Sequence, residues 1–367
     1  MDEIRLDSIE YAILRMTRVR PFVIASRSSS GAVNILVRLR SGEDQGIGVI
    51  VPNHVTGDTE TSSMAFLETL SPAVRGKEVD HRSLHDIMSV SGANTAAKCG
   101  VDCALHDLWG RIEGRPLHRL LGAARESIPT SVTIGIDDID SSLERAGEIV
   151  EAGFSIIKVK AGIDMERDIA VVGALREHYP DIEIRVDCNQ GFSVKRAIEF
   201  CSQVGRFGVS LIEQPVMADD LEGLSKVALG TELPIMADES VSSPNDLEMV
   251  FELGGVEMVN IKLAKTGGIH PAMEMARRCK EMGMEAMVGC MSECQASISA
   301  GLHFALSQDC VTMADLDSHL SLVGDPTTAL VCERGILKPG PGTGLGIEIA
   351  QPRHETPNQR IEWKAIR

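Results

Sequence analysis

A barrel of eight parallel strands alternating with helices, behind a smaller α+β domain, is the fold that this 367-residue chain predicts. Three observations lead to it. Charged residues close a series of short apolar runs: Lys160 ends IIKVK, Asp187 ends IEIRVD, Glu213 ends VSLIE, Asp238 ends LPIMAD and Lys262 ends MVNIK, with gaps of 27, 26, 25 and 24 residues. Each gap is the length of one strand plus one helix. Amphipathic stretches fill the gaps, and the whole length suits a barrel plus a partner domain better than a single core.

The front of the chain reads as strands. IEYAILRM, VNILVRL and GIGVIV are apolar runs, the last two separated by the turn Ser41-Gly42-Glu43-Asp44, which predicts an antiparallel meander. A polar loop, RPFVIASRSSSGA, is expected between the first two. Helical period begins near Ser62, and NTAAKCGVDCALHDLWGRI puts Ala97, Val101, Ala104, Leu105 and Leu108 on one face. This front unit is expected to span residues 1–125. From Ser131 the strand signals are SVTIGI, FSIIKVK, IEIRVD, VSLIEQP, LPIMADES, VEMVNIKL, MEAMVG and CVTMADLD. Between them lie stretches such as SVKRAIEFCSQVG, which opens on a capping Ser193 and closes on Gly205. Eight strands close a barrel, over residues 126–330, more economically than they make an open doubly wound sheet, which has the same pattern. The Pro/Gly-rich KPGPGTGLGIEI reads as a return segment within residues 331–367 that rejoins the front unit. The last ten or so residues are expected to form a loose tail.

Composition narrows the function. With 36 basic and 53 acidic residues, the net charge of -17 disfavours phosphate backbones and anionic lipid, so no nucleic-acid or membrane partner is expected. The N-terminus, MDEIRLDSIEY, has acids where a signal peptide needs basic residues, and no run of 18 apolar residues occurs. Nine cysteines without CxxC pairs, several of them in apolar runs (Cys99, Cys103, Cys201, Cys279), fit buried thiols and a cytoplasmic location.

Chemistry is expected at the strand ends, which gather at one rim of a barrel. Counted from Ser131, Asp187, Glu213 and Asp238 end strands three, four and five. Three neighbouring carboxylates raise one another's pKa unless a cation neutralises them, and oxygen-only ligation suits Mg²⁺. Any one of them alone would be read as a helix cap. Lys160 ends strand two and Lys262 ends strand six, so the two amines face each other across the mouth. That arrangement suits inversion of a carbon, one lysine removing a proton and the other delivering one from the far face. Lys158, two residues before Lys160 and on the same side of the strand, is expected to help free the base form of Lys160 by its charge. A lone strand-end lysine is usually a snorkelling surface group. Asp315 and Asp317 end strand eight and are expected to point inward, across the pocket from the metal acids. There they would receive a substrate ammonium; a second metal site or a solvated turn are the other readings of a DxD pair.

The text IKVK, RVDCNQGF, IEQP, MADES and NIKLAKTGG, in this order and at barrel spacing, resembles the enolase superfamily, and within it the muconate-lactonizing-enzyme-like subgroup. The segment GVDCALHDLWGRIEGRPLHRLLGA is similar to that family's capping domain, so the resemblance covers nearly the whole chain. It implies an α+β cap, completed by the C-terminal segment, over a modified TIM barrel, (β/α)7β. It also implies Mg²⁺ on Asp187, Glu213 and Asp238, with proton transfer by Lys160 and Lys262; the family pattern favours Lys262 over the nearby Lys265. The subgroup contains cycloisomerases, o-succinylbenzoate synthases, N-acylamino-acid racemases and dipeptide epimerases. ADLDSHL, and GCMSEC before it, resemble the dipeptide epimerases, in which the DxD pair holds the substrate's α-ammonium. Arg27, in RPFVIASRSS, falls where the Ala-Glu epimerases carry an arginine that meets a side-chain carboxylate. Val49 departs from the pattern, since relatives often have Glu after the Gly-x-Gly of the third strand. The expectation is therefore an isomerase: a Mg²⁺-dependent epimerase working by two-base proton transfer through an enediolate. Its partner would be a small dipeptide substrate, Ala-Glu-like, and self-association into a homo-oligomer stays open. An N-acylamino-acid racemase or another enzyme of the subgroup is the nearest alternative, and a non-catalytic metal-binding barrel is the alternative of a different class.

Overall fold

The structure, a computed structural model, describes residues 1–123, 125–350 and 361–366. The front of the chain is an antiparallel meander of Ser8–Ile24, Arg27–Ser41 and Asp44–Ile50. Ser41 pairs with Asp44 across the expected turn, where Gly42 takes a φ of 56°. The expected loop over RPFVIASRSSSGA is instead an extension of the first hairpin. Ile24 pairs with Arg27, Val23 with Ser28 and Phe22 with Ser29, and the register breaks between Thr17 and Phe22. Pro21 lies in that break, where its missing N–H costs no ladder bond, so the strand bulges and resumes.

Helices Glu60–Val74, His81–Ser91 and Thr95–Ile112 follow, each opening on a side-chain cap from Thr59, Asp80 or Asn94. Ala97, Val101, Ala104, Leu105 and Leu108 of the third helix are buried in one apolar cluster, as the helical period requires. That helix lies directly on the third strand. A Cβ at Gly46 or Gly48 would come within 2.2 Å of Ala104 O or 2.0 Å of Gly100 O, so glycine permits the contact. Val49, next along, is buried in the main core and does not line the large cavity described below.

The barrel strands are Val132–Ile134, Ile156–Lys160, Glu183–Asp187, Leu211–Glu213, Ile235–Ala237, Met258–Ile261, Glu285–Gly289 and Val311–Asp315. They pair in sequence order, all parallel. The ring closes between the eighth and first strands through one bridge, Thr130 to Ala314, and a bond from Ser131 N to Ala314 O of 3.2 Å. A helix packed outside the ring separates each successive pair, whereas the eighth strand is followed by the 3-10 turn Ser318–Ser321. The barrel is therefore (β/α)7β. Ser193 does stand at the N-cap of helix Val194–Gly205, but its hydroxyl makes no capping bond.

Past the barrel the chain returns to the front unit. Leu322–Val323 pairs with Thr17 and Arg18, Leu345 N donates to Asp107 Oδ1 at 2.7 Å, and Arg111 donates to Ile347 O at 2.8 Å. The expected loose tail is corrected in part. Lys364–Ala365 pairs with Glu10 and Tyr11, Ile366 is buried, and Arg38 stacks on Trp363 at 4.0 Å. The apolar Ile366 and the Trp363 ring give this end something to bury; residues 351–360 lie outside the described residues. No helix among the described residues is long and apolar enough to cross a membrane. All nine cysteines are free, and the four singled out by sequence are buried.

Candidate active site

Side chains alternate along each barrel strand, and the inward ones form layers. Deep in the barrel these are apolar: Leu211, Met236 and Met287 pack with Met258 and Met313. Two residues further on, toward the C-terminal rim, the same strands present Glu213, Asp238, Asn260, Gly289 and Asp315. The bottom layer closes the barrel and the upper one has the chemistry.

Asp187, Glu213 and Asp238 are buried, with ligand oxygens all within 4.8 Å of one another. Ammonium groups surround them. Lys158 Nζ lies 3.0 Å from Asp187, 2.7 Å from Glu213 and 2.7 Å from Asp315; Lys160 Nζ lies 2.6 Å from Asp187. Lys262 and Lys265 approach opposite oxygens of Asp238, both at 2.7 Å. Burial pushes Asp187 up, but Lys158 and Lys160 outweigh it and hold it low. Asp238 is likewise held low by Lys262 and Lys265 against burial. Glu213 differs: burial, and then the charge of Asp187, push it up to about 8. Mutual repulsion thus concentrates on one of the three acids, because lysines compensate the other two.

Neighbours fix these carboxylates. Asn260 donates to Glu213 Oε1 at 2.9 Å, and a Cβ on Gly289 would come within 2.5 Å of Asn260 Oδ1, so glycine leaves room for it. Gln214 Oε1 accepts Asp238 N at 2.9 Å and Ser240 N at 3.2 Å. Asn189, Gln190 and Gln214, just after two of the acids, take positive φ values of 39°, 69° and 37°. Such backbone strain gathers where a site dictates the path of the chain. Three converging carboxylates on short, rigid strand ends, one of them without its full share of opposite charge, fit a hard divalent cation such as Mg²⁺. Asp187, Glu213 and Asp238 are the residues that would hold it.

Above them opens a cavity of about 750 Å³ between the barrel rim and the first hairpin of the front unit. Lys158, Lys160, Lys262, Asp315, Asp317 and Arg27 line it, and the three lysines join it to the three acids. Lys265 does not reach it; its ammonium is buried on Asp238 and on Val241 O at 3.0 Å. Asp315 accepts from Ser131 Oγ at 2.7 Å, and Asp317 accepts from Thr133 N at 2.6 Å. The expected wide separation between this pair and the metal acids is not found, since the one ammonium of Lys158 bridges Asp315 to Glu213 and Asp187. A long inward lysine on the second strand reaches both sides of so narrow a barrel. Arg27 is the first residue of its strand, and its guanidinium donates to His54 Nδ1 at 3.0 Å. Burial, and then Arg27, keep His54 below its ordinary range, so its ring is neutral and can accept.

Several lining or supporting residues were not singled out from the sequence. Glu239 follows Asp238, and burial, then Asp238, push it up to about 7. Its position beside a strand-end acid was the available clue. Asn260, Arg18 and His54 lie within strands or in a loop of the front unit, and only the fold brings them to the site.

Residues 141–353 match the family described as enolase C-terminal domain-like, and residues 8–122 match the mandelate racemase / muconate lactonizing enzyme N-terminal domain. The chain is 35% identical over 334 residues to the hydrophobic dipeptide epimerase of Enterococcus faecalis, covering 89% of this chain and 94% of that protein. It is 32% identical over 355 residues to the N-succinyl-L-Arg/Lys racemase of Bacillus cereus, covering 94% and 95%. The substrate-liganded structure of the L-Ala-D/L-Glu epimerase from Bacillus subtilis superposes with a TM-score of 0.92 at 33% identity, over 95% of this chain and all of that one (100%). With both domain signatures in order over one barrel and its cap, the chain belongs to the enolase superfamily, in its mandelate racemase / muconate lactonizing enzyme branch.

Proposed function

We propose that the protein is a Mg²⁺-dependent isomerase that epimerises dipeptides at the α-carbon of the C-terminal residue, with Ala-Glu-like dipeptides as the first substrates to test. The observation that carries this reading is the placement of two amines, Lys160 on the second strand and Lys262 after the sixth, on opposite sides of one cavity with the acid triad between them. The names borne by the relatives, dipeptide epimerases and an amino-acid-derivative racemase, support it. Bound by Asp187, Glu213 and Asp238, Mg²⁺ would supply positive charge beside the substrate carboxylate and take up the acids on which the lysines now rest. One lysine, as the free amine, takes the α-proton; the ammonium of the other returns a proton to the opposite face of the carbon. Lys158 stands beside Lys160 as the second ammonium on Asp187. Asp315 and Asp317 receive the α-ammonium, and Arg27 meets an acidic C-terminal side chain.

A racemase of N-acylamino acids is the second reading. It is favoured by one contact, because Lys158 already gives Asp315 a cationic partner and leaves less need for a substrate ammonium.

The test is incorporation of solvent deuterium. In D₂O the protein with Mg²⁺ should label the α-position of the C-terminal residue in L,L-dipeptides and form the L,D-epimer. Lys160→Ala and Lys262→Ala should each lower epimerisation by about 10³-fold or more, while retaining exchange on the stereoisomer whose proton faces the remaining lysine. Full epimerisation by either variant would exclude the two-base assignment.

A further inference from the structure

Most arginines of the first hairpin strands are paired with carboxylates: Arg15 with Glu60, Arg20 with Glu148, and Arg38 with Glu10. Arg18 points into the cavity and is held by neutral groups. Its two Nη atoms donate to Ser321 Oγ and Ser292 Oγ, both at 2.6 Å, and its guanidinium stacks on the Phe22 ring at 4.9 Å. Its Nε is buried with no hydrogen-bond partner among the described residues. Asp317 is close enough for its charge to be felt, but no ion pair joins the two among the described residues. Ser292 is itself fixed, since Asn34 donates to its carbonyl at 2.9 Å. The result is a preorganised guanidinium with unused N–H donors, stacked on Phe22 in a cavity whose lining also includes Leu320 and Met291. A half-buried, unpaired guanidinium favours an anion, and its planar fork suits a carboxylate.

We propose that Arg18 forms a carboxylate subsite at the amino end of the substrate, beside the Asp315/Asp317 pair. This deepens the proposed function and rests on it. The substrate then carries an anionic arm on its amino-terminal half. An aspartyl or glutamyl first residue would supply one, and so would an N-succinyl group; both offer a short methylene stem for the apolar walls and a carboxylate for Arg18.

The experiment compares kcat/KM for α-proton exchange in D₂O, with the C-terminal residue held constant, across L-Glu, L-Gln and L-Ala as first residue, and across N-succinyl and N-butanoyl caps. The wild type should favour the anionic member of a matched pair by about 10- to 100-fold, and Arg18→Met should bring that ratio close to one. A preference for Glu over Gln identifies an acidic first residue, and a preference for succinyl over butanoyl identifies an acyl carboxylate. Exchange that does not distinguish the charged from the neutral member of either pair overturns the subsite and leaves the epimerase reading standing. Absence of exchange on every compound overturns that reading and the subsite with it.

Discussion

Glu213 is the residue on which the electrostatics of the site converge. It shares Lys158 with Asp187 and Asp315, while Asp187 and Asp238 each have a further lysine of their own. In the metal-free protein it stays protonated up to about pH 8, because of burial first and the charge of Asp187 second. Two consequences follow with definite sign. The folded pKa lies above the ordinary value of 4.5, so on this account metal-free stability falls as pH rises from about 4.5 towards 8. A divalent cation needs the carboxylate, so below pH 8 its binding must expel a proton. Mg²⁺ affinity, measured by calorimetry, should therefore rise by up to about tenfold per pH unit between pH 6 and 8 and then level off. An affinity independent of pH would show that Glu213 is already ionised. Arg27 gives a sharper test of specificity, since among the described residues its guanidinium has only the neutral His54 as a hydrogen-bond partner. Arg27→Met should weaken turnover of dipeptides ending in Glu by about 1.5 to 3 kcal/mol and leave those with apolar C-terminal residues nearly untouched. An equal loss for both classes would make Arg27 a structural residue.

Among the elements, helix Thr95–Ile112 is the joint of the molecule. Asp107, fully buried on it, accepts Ile47 N from the meander at 2.8 Å, Leu345 N from the return segment at 2.7 Å, and Arg111 Nε from its own helix at 2.8 Å. One carboxylate thus ties together three pieces of chain far apart in sequence. Asp107→Ala should leave two backbone donors and a guanidinium without their acceptor and cost about 2 to 4 kcal/mol, read as a lower urea midpoint at unchanged slope. A shift of a few tenths would mean that water replaces it readily. The helix itself was legible in the sequence, because its apolar face repeats at helical spacing. The outer end of the first hairpin was not. Its polar serines and Pro21 read as a loop by composition, whereas cross-strand pairing, invisible to any local pattern, extends the strands through them.

At the scale of the whole molecule, the eight strands and the acids at their ends were legible because burial on both faces leaves near-continuous apolar runs and the charged residues interrupt them at a fixed beat. What stayed hidden was reach. No local pattern tells that Lys158 spans from Asp187 to Asp315, or that Arg18 and His54 descend from the front unit onto the rim. The seam between the eighth and first strands has a further consequence. Among the described residues it has one backbone bridge, and side chains add to its closure: Asp315 on Ser131 and Thr133 Oγ1, Asp317 on Thr133 N, and Leu316 N on Thr130 Oγ1. In amide hydrogen exchange, Thr133 and Leu316 should open before Val186 and Ile212, which sit between paired strands on both sides, and Asp317→Ala should speed Thr133 further. Uniform protection around the ring would contradict this. The same two aspartates then close the cylinder and line the cavity, so any change there alters the seam together with the cavity wall. Arg18 and Arg27 hold no part of the barrel ladder. A side-chain change on the hairpin therefore reshapes the cavity wall while leaving the ring of strands as it is.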